Sequence, residues 1–444
     1  MGSMQERSVV DLAGFIETQP VGRRQIQLLL MCAAVLFTDG FDTQAIGYVA
    51  PDLAREWHLS RGALGSVFSA GLFGLLLGSL IFSPIADRVG RKWIVVGSTA
   101  TFGLLSLATM LAPDVISLTG LRFLTGLGLG GAMPNAVALT AEISPHRRRA
   151  TMVMAMFCGF SLGAAVGGLI AAAMVPALGW RSVFVLGGVV PLLLAVFLIR
   201  ALPESARFLA LRGTEDARVA RIVAWLFPDQ ALSPGTRFIV AEPAVRGMPV
   251  RELFADGRSG FTLLLWTVFF MSLVDLYFLS NWLPTVLNDL GTSVSTAALI
   301  GSMLQIGGLV GTFALGSVID RFSFRALAAT YLLAAIAVAC VGLMHRSVPG
   351  VTAAVFASGF CIVGGQIAAN ALAAGSYPTT ARATGVGWAL GIGRVGSIVG
   401  PLLGGLLLSL HWSTESLFGL AAVPALGAAL AAIFLSFRMR GIRT

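Results

Sequence analysis

Asp39 and Asp42 lie three residues apart in LFTDGFDTQAIG (Leu36 to Gly47), at the end of a long apolar run. An Asp at the centre of a membrane-spanning helix costs roughly 2.5–3.5 kcal/mol, so both acids must face protein rather than lipid. Residues three apart share a helical face, and two carboxylates so close in a dehydrated cavity cannot both ionise easily. Such a pair suits the binding and release of a proton. The alternative is that the acids cap backbone loosened by Gly40 and Gly47, or hold an arginine in a fixed ion pair without ever titrating. Two arginines stand in comparable apolar surroundings. Arg122 cannot shed its proton and needs a permanent anion; the acids at 39 and 42 are candidates, and a substrate carboxylate can compete for the same fork. Arg394 sits in GVGWALGIGRVGSIVGPLLGG (385–405), with no acid within helical reach and glycines on both sides that leave room around it. A planar guanidinium there suits bidentate capture of a carboxylate, and Arg394 is assigned as the main substrate anchor.

Further polar groups sit in other apolar stretches. Asp275, in SLVDLYFLSNWLP (272–284), reads either as a second proton site or as the counter-ion of Arg394, and the counter-ion reading is preferred. Tyr277 and Asn281 offer hydrogen bonds for ring hydroxyls, and Gln305, Gln366 and Asn370 add polar tips, although interhelical hydrogen bonds account for such residues equally well. Phe41, Tyr48 and Trp388 can stack on an aromatic ring, against the competing reading that they only pack.

The elements that must position these groups are membrane helices. The chain of 444 residues is 56% hydrophobic and 11% charged, with a mean hydropathy of +0.86, whereas a soluble domain carries about 25% charged residues. Apolar stretches of spanning length predict twelve helices, near 26–49, 62–86, 93–112, 115–141, 150–176, 181–200, 259–284, 294–319, 326–344, 350–374, 382–409 and 414–437. The polar first 25 residues lack the regions of a signal peptide, and Met1 to Ser3 read as a cloning scar. With both termini in the cytoplasm, the cytoplasmic segments hold 24 Lys and Arg and the external loops four. The net charge of +9 therefore reads as the positive-inside rule and not as a nucleic-acid footprint. The four cysteines, Cys32, Cys158, Cys340 and Cys361, read as packing residues. The four histidines fall in loops or helix ends, so no metal site is expected. No nucleotide-binding loop or nucleophile elbow is present, so neither an ATP-driven machine nor an enzyme is expected, and no cofactor.

A shift of 233 residues aligns the two halves of the chain. Pro51 falls on Pro284, Gly74 on Gly307, Gly78 on Gly311, Asp87 on Asp320, Arg88 on Arg321, Pro145 on Pro378 and Asp42 on Asp275. The halves, 26–200 and 259–437, read as repeated six-helix bundles, preceded by a cytoplasmic segment (1–25) and followed by a tail (438–444). Between them the polar segment 201–258, with an amphipathic helix near 215–227, reads as a cytoplasmic linker. Two such bundles with a site at their interface are the organisation of a secondary transporter.

SPIADRVGRKW (83–93) resembles the loop signature of the major facilitator superfamily, with Ser83 where that pattern has Gly. GSVIDRFSFRA (316–326) is a weaker second copy, and LRFLTGLGLGG (121–131) resembles the family's fourth-helix pattern. Within the superfamily, DGFDTQAIGYVAP (39–51) and the polar leader resemble the aromatic acid:proton symporters. The resemblance implies the all-α major facilitator fold, twelve helices in two bundles, a small aromatic carboxylate (benzoate, hydroxybenzoate or phenylpropanoate type) as substrate and the proton as co-substrate. It implies a functional role for Asp39 and Asp42 and supports substrate binding at Arg394. Asp87, Arg88, Gly90, Arg91 and Lys92, with Asp320 and Arg321 in the second copy, are then expected to form a conformational switch, Asp87 meeting the N-terminus of the eleventh helix in one state only. The competing role for the basic residues is to set topology and meet anionic lipid. A monomer in the bacterial cytoplasmic membrane is expected, its partners being substrate, protons and bilayer. Two other functions compete: a proton-linked efflux antiporter of acids or drugs, and a non-transporting receptor. GFSLGAAVGGLIA (159–171) resembles the fifth-helix motif of drug antiporters, but Ala164 stands at its proline, which counts against efflux.

Overall fold

The computed structural model describes residues 9–213, 216–228, 230, 236–240, 250–255, 257–377, 382–410 and 412–440. These residues form α1 (Leu12–Thr18), α2 (Arg23–Trp57), α3 (Arg61–Val89), α4 (Arg91–Thr109), α5 (Val115–Glu142), α6 (His146–Leu178), α7 (Arg181–Ala201), α8 (Ala206–Arg212) and α9 (Asp216–Leu226). A second series follows: α10 (Ser259–Asp289), α11 (Val294–Phe322), α12 (Phe324–Leu343), α13 (Val348–Ser376), α14 (Arg382–Ser409) and α15 (Thr414–Arg440). Eleven of these helices are long and apolar enough to cross a membrane. The expected third span, 93–112, coincides with α4, a helix of 19 residues that opens on Arg91 and Lys92 and is not among the eleven.

The duplication persists in the helix bounds. Moving α3 by 233 residues gives 294–322, the bounds of α11, and α5 moves onto α13 with one residue's difference at its end. Several helices begin where short side chains can accept a backbone hydrogen bond: Ser60 from Ala63, Asp114 from Ser117, Ser293 from Thr296 and Ser347 from Gly350. Within the first set, α2 packs on α5, α6 and α7, α3 on α5, and α4 on α5 and α7; within the second, α10 packs on α14 and α15, α11 on α13, and α12 on α13 and α15. The sets meet through α2 with α10, α3 with α14 and α6 with α11. The α3–α14 and α6–α11 contacts exchange under the 233-residue shift, so the interface has the same pseudo-two-fold relation as the chain.

The leader and linker make a small layer at one end of the bundle. A parallel two-stranded pairing of β1 (Val9–Asp11) with β2 (Arg237–Ile239), which the sequence does not announce, ties them together. Leu12 and Ile16 then share a core with Val219, Val223 and Leu226 of the amphipathic α9. At the opposite end the two helix sets are stitched to each other. Arg61 donates to both carboxylate oxygens of Asp289 at 2.6 Å, Arg55 to Asn288 at 3.1 Å, and Ser295 to the carbonyl of Ala172 at 2.5 Å. Ser69 donates to the carbonyl of Ile398 at 2.9 Å. At the linker end the Asp87 side chain is 74% exposed. The bundle is thus closed at the end far from the linker.

Close helix crossings permit this packing, since membrane helices gain most from backbone approach over small residues. A Cβ on Gly126 would overlap the backbone of Gly71 across the α3–α5 crossing, whereas one on Gly120, on the same helix, would meet nothing. Gly126→Leu is therefore expected to cost about 1–3 kcal/mol, read as a lowered thermal midpoint of the purified protein, and Gly120→Leu to leave that midpoint unchanged.

Candidate functional site

Asp42 lies on the part of α2 from Thr38 to Pro51, where every residue is buried. Its carboxylate faces the interior of the first helix set. Arg122 of α5 reaches Oδ2 at 2.9 Å, Oδ1 at 3.2 Å and the main-chain carbonyl of Asp42 at 3.2 Å, while Ser106 of α4 donates to Oδ1 at 2.9 Å. Arg122 also lies over the Phe184 ring, 5.7 Å from its centroid. Acid and base are 0% and 3% exposed. A buried forked pair whose remaining lone pairs are met by a hydroxyl is the form in which an interior ion pair is tolerated. In this structure the anion that meets Arg122 is Asp42.

Asp39 turns elsewhere, and this corrects the expectation that the two acids act from one face. Its Oδ1 accepts a hydrogen bond from Thr43 at 3.1 Å, its Oδ2 has no partner, and it is fully buried. It lies within electrostatic reach of Arg394 across the gap between the sets. Tyr277 of α10 is within reach of the same two groups. Arg394 itself is half-buried. Among the described residues no carboxylate comes within 4 Å of it, and its guanidinium donates only to the Met133 sulfur of α5, at 3.4 Å. Asn281, whose Nδ2 bonds the carbonyl of Tyr277 at 2.8 Å, lines a small cavity with Thr43, Gly71 and Arg122. Asp39, Thr43, Tyr277, Asn281 and Arg394 thus converge on the space between the two sets, with the Asp42–Arg122 pair behind them.

Other expected residues are not brought there. Asp275 is not the counter-ion of Arg394: it faces away from the gap, near Tyr331 of α12 and the backbone at Ala425 of α15, and its Oδ2 has no partner. The repeat explains the difference, because Asp275 corresponds to Asp42 while the position of Arg122 is taken by Val355. Trp388 is 42% exposed on the outer face and stacks on Trp266. Phe41 packs against Gly167 and Gly187, towards α6 and α7. The Tyr48 hydroxyl donates to the carbonyl of Ala164 at 3.0 Å, and its ring fills the α6–α11 contact beside Gly168 and Gly301. All three aromatic rings are committed to packing, Tyr48 at the α6–α11 contact between the sets and Phe41 and Trp388 elsewhere. Gln305 and Gln366 are buried. Gln366 and Asn370 lie one turn apart on α13 with partnerless amide oxygens.

Thr43, Ser106 and Met133 escape sequence reasoning. Thr43 had a readable signal, a hydroxyl four residues after Asp39 on the same helical face; Ser106 and Met133 had none.

The loop residues form a compact cluster. Gly90 has a φ of +110°, which favours glycine, and a side chain there would strike the carboxylate of Glu204. That carboxylate accepts from the backbone of Lys92 at 3.1 Å, and the Lys92 ammonium reaches the carbonyl of Ile199 at 2.8 Å. Arg91 pairs with Glu142, which also accepts from Ser205 at 2.5 Å, and the carbonyl of Arg88 accepts from Arg212. Asp87 stands 3.9 Å from Arg91 and, exposed as it is, is not docked on the start of α14. Arg321 lies over the Phe322 ring. The side chain of Asp320 and the structure of Pro378 lie outside the described residues.

Removing one member of a buried pair strands the other charge at a cost of about 3–5 kcal/mol. Asp42→Asn and Arg122→Gln are each expected to lower the thermal midpoint sharply, and the double variant to recover more than half of the loss. Additive losses in the double variant would show that the two groups are not coupled.

The model of the Major Facilitator Superfamily matches residues 32–286 and 265–442. The chain is 43% identical to the 4-hydroxybenzoate transporter PcaK of Pseudomonas aeruginosa, over 94% of this chain and 93% of that one. It is 43% identical to the gallate transporter of Pseudomonas putida, over 95% and 94% of the two chains. With the 3-(3-hydroxy-phenyl)propionate transporter of Escherichia coli it shares 38% identity, over 93% and 94%. In fold it is similar to a bacterial homolog of the human lysosomal transporter Spinster, in an inward-facing, unoccupied conformation (TM-score 0.69, 18% identity, 95% and 98% of the chains). It is equally similar to the xylose transporter XylE of E. coli in a partially occluded inward open conformation (TM-score 0.69, 16% identity, 91% and 98%). The chain therefore belongs to the major facilitator superfamily of membrane transporters, in the branch that holds these aromatic acid transporters, and is not an enzyme.

Proposed function

We propose that this protein imports a small aromatic carboxylate together with protons across the bacterial cytoplasmic membrane by alternating access. The observation that carries this reading is the pair of incompletely served groups facing each other between the helix sets. Among the described residues Arg394 has no carboxylate within 4 Å, and Asp39 has a partnerless oxygen. A guanidinium held open in this way suits a planar carboxylate, and an interior acid without a dedicated cation suits a travelling proton. The names of the relatives point to hydroxylated aromatic acids as the substrate class.

In this reading α2 to α7 and α10 to α15 are twelve spans, in bundles 26–200 and 259–437 joined by the linker 201–258. Both termini and the linker are cytoplasmic, a placement that the excess of Lys and Arg on that side supports. The closed end, with Arg61 on Asp289, is then external, and the described conformation faces inward. Tyr277 and Asn281 meet ring hydroxyls, while Asp42 and Arg122 keep the first bundle charged but balanced and do not themselves cycle. When the substrate and proton leave, the bundles rock, Asp87 closes on α14, and its neighbours Arg88, Gly90, Arg91 and Lys92 hold the corner that lets it do so; Asp320 and Arg321 act in the second copy. Substrate and proton can drive this exchange only to the extent that they bind the two states differently. One monoanion entering with one proton moves no net charge, and each further proton adds roughly 2.3 kcal/mol per 100 mV. The transporter acts as a monomer in the bilayer.

The test is uptake of labelled 4-hydroxybenzoate, benzoate and 3-hydroxyphenylpropionate into proteoliposomes under an inward proton gradient. Asp39→Asn is expected to abolish accumulation while leaving binding within a few-fold of the parent. Arg394→Gln is expected to weaken binding at least tenfold. Near-parental uptake by both variants would overturn the assignment.

A further inference from the structure

We propose that Met133 is the residue that distinguishes an aromatic from a saturated ring in the substrate, a role that rests on the proposed transport of aromatic carboxylates. Its sulfur is the atom that touches the Arg394 guanidinium from the opposite helix set, at 3.4 Å. Thioether sulfur is a weak acceptor, so it occupies the fork without satisfying it, and a carboxylate displaces it readily. Once the carboxylate is seated, the ring, joined to the carboxyl carbon directly or through a short arm, comes next to the side chain already beside that fork.

The aromatic side chains that sequence alone offered for stacking are committed elsewhere. Trp388 stacks on Trp266 at the outer face, Phe41 packs towards α6 and α7, and Tyr48 is held by the carbonyl of Ala164. Met133 is half-buried and has three rotatable bonds, so it can swing from the guanidinium to the ring without moving α5. A sulfur about 5 Å from an aromatic ring gains a contact that a saturated ring does not return. The same flexibility accommodates rings carried at different distances from the carboxylate.

The experiment compares benzoate with cyclohexanecarboxylate, which carry the same carboxylate on a flat and a saturated ring. Both are measured as ligands of the purified protein by thermal shift and as competitors of labelled 4-hydroxybenzoate uptake, in the parent, Met133→Leu and Met133→Ala. Leu keeps nearly the volume and apolar character of Met but lacks sulfur. The parent is expected to prefer benzoate, and Met133→Leu to shrink that preference by about 2- to 10-fold at unchanged unliganded thermal midpoint. Met133→Ala is expected to shrink it at least as far. A preference that persists unchanged in both variants, or a parent that binds the two acids alike, overturns the role of Met133 and leaves the transport reading standing. A parent that binds neither acid and takes up no 4-hydroxybenzoate overturns the transport reading and this role with it.

Discussion

An interior charge in a membrane protein must be balanced on the spot, and in this fold one balanced pair permits an unbalanced one. Asp42 and Arg122 neutralise each other through three contacts of 2.9 to 3.2 Å within the first helix set, with Ser106 meeting a remaining lone pair. That pair ties α2, α4 and α5 together and requires nothing from the second set. Three residues earlier on α2, Asp39 is free of this commitment and faces Arg394 across the gap. Arg394, in turn, is left with a sulfur contact where a carboxylate would fit. In this structure one charged couple is complete within the first set, while the arginine of the other is met by a sulfur.

The same division appears at the ends of the bundle. Far from the linker, Arg61 and Asp289, Arg55 and Asn288, and Ser69 and the Ile398 carbonyl join the sets directly. Near the linker, charges of the 83–93 loop are met within the first set and the linker: Arg91 on Glu142, Lys92 on the Ile199 carbonyl, and the Glu204 carboxylate on backbone beneath Gly90. Asp87 is exposed with Arg91 3.9 Å away, and its neighbour Arg88 is exposed as well. The sets are thus joined directly at the end far from the linker, while the loop charges near the linker are met within the first set and the linker.

What the sequence disclosed follows from what a one-dimensional pattern can carry. Hydropathy marks the spans because length and apolarity are local properties. The 233-residue shift revealed the repeat because charged loop residues and prolines keep register where apolar residues drift. The acids at 39 and 42 and the arginines at 122 and 394 stood out because charge in an apolar run is costly. Rotation about the helix axis was not legible. Residues three apart share a face only approximately, and Asp39 and Asp42 use that latitude to address different neighbours. In sequence Asp275 reads as the counter-ion of Arg394 in preference to a second proton site, yet it lies near Tyr331 and Ala425, and the corresponding Val355 shows why it lacks an arginine. Phe41 and Trp388 were plausible ring contacts until the glycines at 167 and 187 and the ring of Trp266 fixed their directions. Neither the β1–β2 pairing nor the contact of Met133 with Arg394 left a trace in composition or spacing, because each is made by residues distant in the chain whose types are unremarkable.

The proposed proton coupling requires Asp39 to gain and lose a proton as substrate binds and leaves. Infrared difference spectroscopy on the membrane-embedded protein resolves this directly, with each carboxyl band assigned by its loss in Asp39→Asn or Asp42→Asn. On adding and removing a substrate aromatic carboxylate, the Asp39 band is predicted to interconvert between its protonated and ionised forms. An Asp39 band that never changes as substrate binds and leaves would contradict it.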